Sequence, residues 1–591
     1  MSLLQTYRRL GSAHPKYIIA VVFLSGLSGI LEALGLVVAV ELVGTSSNLF
    51  GFTSFSFGLR GSQGIVVFLG LGTLSVATKF LSQYYLGKLY ALTEQKLRTE
   101  LLHKVFRSDW QSYLGLSLGK TNEMVLGRSQ LIAITVSDLT TFGSEGLSAV
   151  LCLCVAILLS PPMAIGVCLF GFIILVAYLS VKRQLNHHAA KLPSLSSYLG
   201  ETIQWLLSEL KYVRASGGEA MAEERVSKIL SEYQNSTFLI HFYRNIPHSL
   251  LQFCGLVLLA GVFFVSLQLR WVGLGEALVF MAIFYRIVPR IQLTYGNLTN
   301  LKVREPLVRS YHEYLDRVSS LPTARTGGAP LEFRSFIEMK SVSFSYRNNK
   351  KAGVKGLSIL LKKGSFTALV GQSGSGKSTV LDLLTGLLEP THGQITVDGK
   401  NLRDGDMGNW RQKIAVVSQS VPMLHATIAE NIAWLQADVD EEKIIMAAKR
   451  ANAWGFIQSL PQGLNTNIGL RGMTLSGGQQ QRIGLARALY REPEILILDE
   501  ATSQLDDISE RRWLKEIHSL RGKLTIVMVA HRMKTVQLAD QICVFQNGEM
   551  AALGNWQSLS RHSEEFNRLN AITLDSEVNH PMKPTDENPL H

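Results

Sequence analysis

Gly371-Gln372-Ser373-Gly374-Ser375-Gly376-Lys377-Ser378 follows the apolar run Phe366-Thr367-Ala368-Leu369-Val370 and precedes Thr379-Val380-Leu381-Asp382-Leu383-Leu384. The order is buried strand, glycine-rich turn, helix. Glycines let the backbone curl so that several N–H groups and a helix N-terminus converge on one anion, Lys377 can reach terminal phosphates, and the Ser378 hydroxyl can ligate Mg²⁺. A plain Gly/Ser turn before a surface helix is the alternative. The strand–loop–helix context favours a phosphate cradle made of Gly371, Ser373, Gly374, Ser375, Gly376, Lys377, Ser378 and Thr379.

A chain of 591 residues exceeds one hydrophobic core, so two or more domains are expected. Hydrophobic residues make up 47% and concentrate before residue 300, which predicts a membrane-embedded first half. The formal charge of +12 could suggest nucleic acid, but Lys and Arg mostly flank apolar spans, so it reads as membrane topology. Cys152, Cys154, Cys168 and Cys254 lie in apolar spans and Cys543 in a strand-like run, a pattern that predicts reduced core residues, with no disulfide framework and no metal site. The first span is too long for a signal h-region, so no cleavable leader is expected.

A spanning helix needs about 20 mostly apolar residues to cross roughly 30 Å of hydrocarbon. Stretches near 17–43, 65–92, 142–160, 163–181, 247–269 and 274–295 meet that length. Pro161-Pro162 makes a tight hairpin between the third and fourth. The loops after spans two and four carry most of the cations and are assigned to the cytoplasm, as are both termini. These loops read as helical, so the spans continue beyond the bilayer. Gly119-Lys120-Thr121-Asn122 and 211–219 interrupt the pattern and are expected either to dock on the second domain or to be plain surface turns.

Ionisable residues within the spans mark a candidate substrate cavity, because charge at mid-bilayer costs about 2.5–3.5 kcal/mol unless it meets a partner or cavity. They are Glu32, Lys79, Arg286 and Arg290. The last two share a helical face around Pro289, where two cations could hold a phosphate. Snorkelling to the interface is the alternative for Lys79 and Arg290. His248 reads as a packed or interfacial residue. The aromatic loop at 50–57 reads as an interfacial anchor or a lipid contact.

A polar helix to Val318 and the Pro/Gly-rich linker at 322–330 lead into alternating strand and helix patterns, an α/β core. Ile495-Leu496-Ile497-Leu498-Asp499-Glu500 is an apolar strand ending in two acids, at the sheet edge where ligands bind. Asp499 would hold Mg²⁺ through water and Glu500 could accept a proton from attacking water, although a pair of acids can also cap a helix. Leu475-Ser476-Gly477-Gly478-Gln479 opens a helix and makes a second anion-binding N-terminus. One ATP does not need two such termini from one chain, but two facing chains do.

The ordered set of phosphate loop, Gln419, Leu475-Ser476-Gly477-Gly478-Gln479, Asp499-Glu500-Ala501-Thr502-Ser503, Leu505-Asp506 and His531 resembles the ATP-binding cassette. With six spans ahead of it, the chain resembles a half-sized ABC exporter of the type IV class. The resemblance implies a helical membrane domain (1–316), a linker (317–331) and an α/β P-loop cassette (332–572); the polar tail with several prolines (573–591) is expected to be disordered. It implies that Tyr346 stacks on adenine, Gln419 contacts Mg²⁺ and senses the γ-phosphate, and His531 is the γ-phosphate switch. Ser476, Gly477, Gly478 and Gln479 would bind ATP held by the opposite subunit. Leu470 stands where exporters commonly carry an acid, and Gln504 replaces the usual Ala.

Glu32, Lys79 and Tyr285-Arg286-Ile287-Val288-Pro289 look like the flippases of lipid-linked oligosaccharides. The implied activity is ATP-driven export or flipping of an amphipathic substrate, a lipid-linked glycan or related anionic lipid, by a homodimer in a bacterial inner membrane. A paralogous partner chain is the alternative to a homodimer. A multidrug or peptide exporter and an ATP-gated channel or regulator are the alternative functions.

Overall fold

A computed structural model describes residues 14–42, 61–159, 161–264, 274–323, 327–347, 352–436, 438–469, 475–501, 507–530 and 532–579. The chain divides into two units: Met1–Ser108 with Gly115–Leu321, and Asp109–Leu114 with Pro322–His591.

The first unit is helical. Its long elements are α1 (Pro15–Leu42), α2 (Ser62–Arg107), α5 (Ser129–Leu159), α6 (Pro161–Ser208), α8 (Glu219–Phe264) and α9 (Leu274–Ser319). Short pieces α4 (Leu118–Asn122), a π-helix (Glu123–Arg128) and α7 (Leu210–Ala215) join them. Among the described residues, α1 over Pro15–Ala39 and α2 are long and apolar enough to cross a membrane. At 1.5 Å per residue, the 46 residues of α2 reach about 70 Å, more than twice the hydrocarbon thickness. Helix α9 runs unbroken through Pro289 and Pro306.

Small polar residues let α1, α2 and α5 pack closely. Ser28 Oγ lies 3.0 Å from Ser75 Oγ, Ser25 Oγ 2.9 Å from Ser82 Oγ, and Ser148 Oγ donates to the Ser25 carbonyl at 3.2 Å. Hydroxyls at such crossings satisfy one another where lipid offers no partner. Further along, Glu123 at the start of the π-helix accepts from Arg128 (2.6 Å), Ser196 (3.0 Å) and Ser197 (2.7 Å), tying α6 to the bulged turn.

The second unit holds two sheets. One is six-stranded in the order β10-β9-β3-β8-β7-β6, from β3 (Phe366–Gly371), β6 (Ile414–Val417), β7 (Ile495–Asp499), β8 (Thr525–Val529), β9 (Gln541–Gln546) and β10 (Glu549–Gly554). All its pairings are parallel except β9 with β10. The other is an antiparallel sheet in the order β2-β1-β4-β5, from β1 (Phe336–Ser345), β2 (Ala352–Lys362), β4 (His392–Val397) and β5 (Lys400–Asn401). The buried residues of β7, and of β8 after Thr525, are apolar, as expected of central strands in a parallel sheet covered on both faces.

Two expectations need correction. Residues 573–579 belong to a helix (Glu564–Asn579) where a disordered tail is expected, and Gly119–Asn122 lies in a helix, not a turn. The segment grouped with the cassette is α3 (Trp110–Tyr113) with its flanks. Asp109 caps α3, its carboxylate accepting from Ser112 N–H at 3.3 Å, and Trp110 packs on the core around Phe344 and Val380. Residues 118–122 are helical and stay in the membrane unit: Ser117 Oγ donates to Glu201 at 3.0 Å and Thr121 Oγ1 lies 2.5 Å from Tyr314 Oη. Residues 211–219 also cluster with the membrane unit, with Tyr212 exposed.

Candidate functional site: a phosphate cradle at the sheet edge

Parallel pairing brings the predicted cassette groups to one edge. β3 lies between β9 and β8, and Leu369 is level with Val529, while Asp499 on β7 is also level with Val529. The turn after β3 and the acids after β7 therefore emerge side by side, one strand apart. This is the carboxyl edge of an open α/β sheet, where ligands bind.

The turn leads into α10 (Lys377–Leu384). Gly376 has φ +101°, and a Cβ there would lie 2.4 Å from the Gly353 carbonyl oxygen, so only glycine fits. At Gly371 a Cβ would come within 2.3 Å of the Phe545 carbonyl oxygen. Lys377 is buried and its Nζ donates to the carbonyls of Gly371 (2.8 Å) and Gln372 (2.9 Å). Burial pushes the pKa of Lys377 down, against the opposing pull of Glu500 and Asp499. Its ammonium thus has both acids within electrostatic range. Ser375 Oγ is buried without a hydrogen-bond partner, an acceptor-seeking hydroxyl facing the inside of the loop. An arriving phosphate oxygen would meet it and the loop N–H groups together.

Ser378 is exposed at the first turn of α10, and Thr379 is buried with its Oγ1 3.2 Å from Tyr346 Oη. Tyr346 follows β1 directly and is braced edge-on by Phe344, ring centroids 4.9 Å apart. Glu500 adopts φ +51°, a left-handed conformation costly for a non-glycine residue, with its N–H on the Val529 carbonyl at 3.3 Å. Strain of this kind persists where surrounding structure fixes a side chain for a task.

Gln419 is exposed just beyond β6, and its carbonyl accepts from Gln481 Nε2 at 2.7 Å. Gln481 belongs to α15 (Gly477–Tyr490), so the Gln419 loop and the helix bearing Ser476-Gly477-Gly478 are tied directly. Ser476 and Gln479 form a reciprocal capping box: Ser476 N–H donates to Gln479 Oε1 at 2.9 Å and Gln479 N–H to Ser476 Oγ at 3.3 Å. Four helices precede α15 in this domain after α10: α11 (Met407–Gln412), α12 (Ile428–Ala433), α13 (Glu441–Arg450) and α14 (Trp454–Ser459).

Arg487, on α15, is a structural residue that sequence reading missed. Its guanidinium donates to the carbonyls of Asn431 and Pro422, each at 2.8 Å, and lies 4.0 Å from the Trp434 ring centroid. Burial pushes its pKa down to about 10. A lone arginine on a helix carries no signal for such contacts, because its shortest hydrogen bonds go to backbone carbonyls.

His531, Leu470, Gln504, Leu505-Asp506 and the 50–57 loop lie outside the described residues. Among the candidate cavity residues, buried Arg290 pairs with partly buried Glu32, Arg290 Nη2 donating to Glu32 Oε2 at 2.5 Å. Lys79 is half-exposed and lies 3.8 Å from Glu145. Arg286 is on α9, but its side chain, like that of His248, lies outside the described set.

The donor set suits a hard cation: Ser378 hydroxyl, Asp499 carboxylate and the Gln419 amide supply oxygen and few charges, as Mg²⁺ bound with substrate phosphates requires. No cluster of three or more His, Cys, Asp or Glu suited to a metal occurs among the described residues, which such a site does not need.

Residues 17–288 match the family described as ABC transporter transmembrane region and residues 354–503 the family described as ABC transporter. The ATP-dependent lipid A-core flippase of Haemophilus influenzae (strain 86-028NP) is 31% identical over 96% of this chain and 97% of its own length. That of Pasteurella multocida (strain Pm70) is 29% identical over 98% of this chain and 99% of its own. A solved bacterial Atm1-family ABC exporter with ATP bound superposes with a TM-score of 0.76 at 21% identity, covering 96% of this chain and 98% of the other. The helical unit and the α/β unit together have the fold of an ABC exporter. The chain is an integral membrane protein that binds ATP and couples its hydrolysis to transport, and it belongs to the ABC transporter family.

Proposed function

We propose that the protein flips an anionic, lipid-linked substrate across a bacterial inner membrane as a homodimer, with the cassette on the cytoplasmic side. The observation that carries this reading is similarity to lipid A-core flippases over nearly the whole chain, membrane half included. Similarity limited to the cassette would have spoken for ATP use alone.

In this reading the loop from Gly371 to Thr379 binds the phosphates, and Lys377 exchanges its two carbonyl partners for phosphate oxygens. Tyr346 stacks on adenine. Ser378, Asp499 and Gln419 hold Mg²⁺, which when bound neutralises phosphate charge. Glu500 accepts the proton of attacking water, and His531 contacts the γ-phosphate. Ser476, Gly477, Gly478 and Gln479 complete the site on the opposing copy. One chain presents the capped end of α15 to solvent, at Ser476, and a second copy supplies what it faces.

The experiment is mass spectrometry of lipids that copurify with the Glu500→Gln protein. An enriched phosphorylated glycolipid supports the reading. Enrichment of neutral or cationic hydrophobes instead would make the protein a multidrug-type exporter.

A further inference from the structure

Arg347 immediately follows Tyr346 and reaches α3. Its Nη1 donates to Ser112 Oγ at 3.0 Å and its Nη2 lies 3.6 Å from Asp109 Oδ2. Asp109 is at once the cap of α3 and the residue whose N–H donates to the Pro322 carbonyl at 2.8 Å. The chain leaves the membrane unit after Ser108, returns to it at Gly115 and leaves again after Leu321. Arg347 therefore grips the short helix at the point where two of the three chain crossings are bonded to each other.

The ion pair is 55% exposed on the arginine side, so solvent screens it and it contributes little to stability. Its position matters more than its strength. The other face of α3 is held independently by Trp110, stacked on Tyr113 and packed on the cassette core. Arg347 is thus dispensable for docking, yet it shares a peptide bond with Tyr346. That ring is braced by Phe344 and Thr379 and is partly exposed.

We propose that Arg347 is a positioning residue that makes the cassette's hold on α3 depend on the base of the bound nucleotide. Stacking on Tyr346 restricts the Tyr346–Arg347 backbone and so fixes the guanidinium on Asp109 and Ser112. The inference rests on the base-stacking role proposed for Tyr346, and not on the lipid substrate.

The test is hydrogen–deuterium exchange of full-length Glu500→Gln protein in nanodiscs with ATP, with UTP and without nucleotide. ATP should slow exchange at 109–114 about fivefold more than UTP, the lower end of coupling between sites. Arg347→Ala should remove that difference while nucleotide protection of 371–378 persists, and Arg347→Lys should restore part of it. Equal protection of 109–114 by ATP in Arg347→Ala and its parent would overturn the proposal, as would equal protection by ATP and UTP in the parent. Tyr346→Ala leaving the preference of ATP over UTP in binding unchanged would remove the base-stacking reading itself, and this inference with it.

Discussion

Arg290 on α9 donates to Glu32 on α1 across 2.5 Å; Arg290 is buried and Glu32 is partly buried. Ser75 on α2 donates to the other Glu32 oxygen at 3.1 Å. Gly29, one turn before Glu32, makes the approach possible, because a Cβ there would lie 2.9 Å from Ser148 Oγ and 3.3 Å from Arg290 Nη1. Removing one partner of a largely buried pair leaves an uncompensated charge, a loss of at most about 3–5 kcal/mol. Glu32→Ala should therefore lower the detergent-solubilised melting temperature sharply, and Glu32→Ala combined with Arg290→Met should recover much of it. Thermal unfolding followed by intrinsic fluorescence checks both.

Arg487→Lys is not a conservative change. Lysine cannot span the Asn431 and Pro422 carbonyls with a planar fork while lying on Trp434. Leaving buried acceptors unpaired costs about 1–3 kcal/mol. A loss of that size in cassette stability is expected, read by denaturant unfolding, with ATP-binding residues untouched.

Glu494 lies between Lys363 (2.7 Å) and Lys413 (2.5 Å). Burial pushes its pKa up, but the hydrogen bonds and charges of the two lysines outweigh this and hold it below the usual carboxylate range. A depressed folded pKa gives stability that is present above the unfolded value and is lost as pH falls through the folded one. Glu494→Gln should destabilise the cassette at pH 7, by about 1 kcal/mol after allowing for solvent exposure. The difference from the parent should shrink as pH drops below 4.5, the ordinary value for glutamate. Melting temperatures across that range measure it.

Much of the cassette was legible because its groups lie in unbroken runs. Ile495-Leu496-Ile497-Leu498 is apolar throughout and Phe366-Thr367-Ala368-Leu369-Val370 is apolar but for Thr367, and both are central strands. The strand Ala352–Lys362 was missed: glycines at 353 and 356 and lysines at 355 and 362 interrupt its pattern, and its bulged pairing with β1 accommodates them. Helix α3 was missed for a different reason. Four residues carry no periodicity, and the only local sign was Asp109 before Trp110, an N-cap in the middle of a helical loop. In the membrane half, Glu32 and Arg290 were individually conspicuous, but 258 positions separate them, and no local pattern could pair them.

Glu500→Gln keeps shape and removes the proton acceptor. Hydrolysis should fall about 10²–10⁴-fold with ATP affinity retained. Phosphate release and equilibrium nucleotide binding, measured on the same preparation, separate the two effects.

The most direct measurement is ATP-dependent movement of a phosphorylated glycolipid between leaflets of proteoliposomes containing the purified protein. Transfer that requires ATP and is abolished by Glu500→Gln is the expected result. ATP hydrolysis without any leaflet transfer, or transfer that persists in Glu500→Gln, would contradict it.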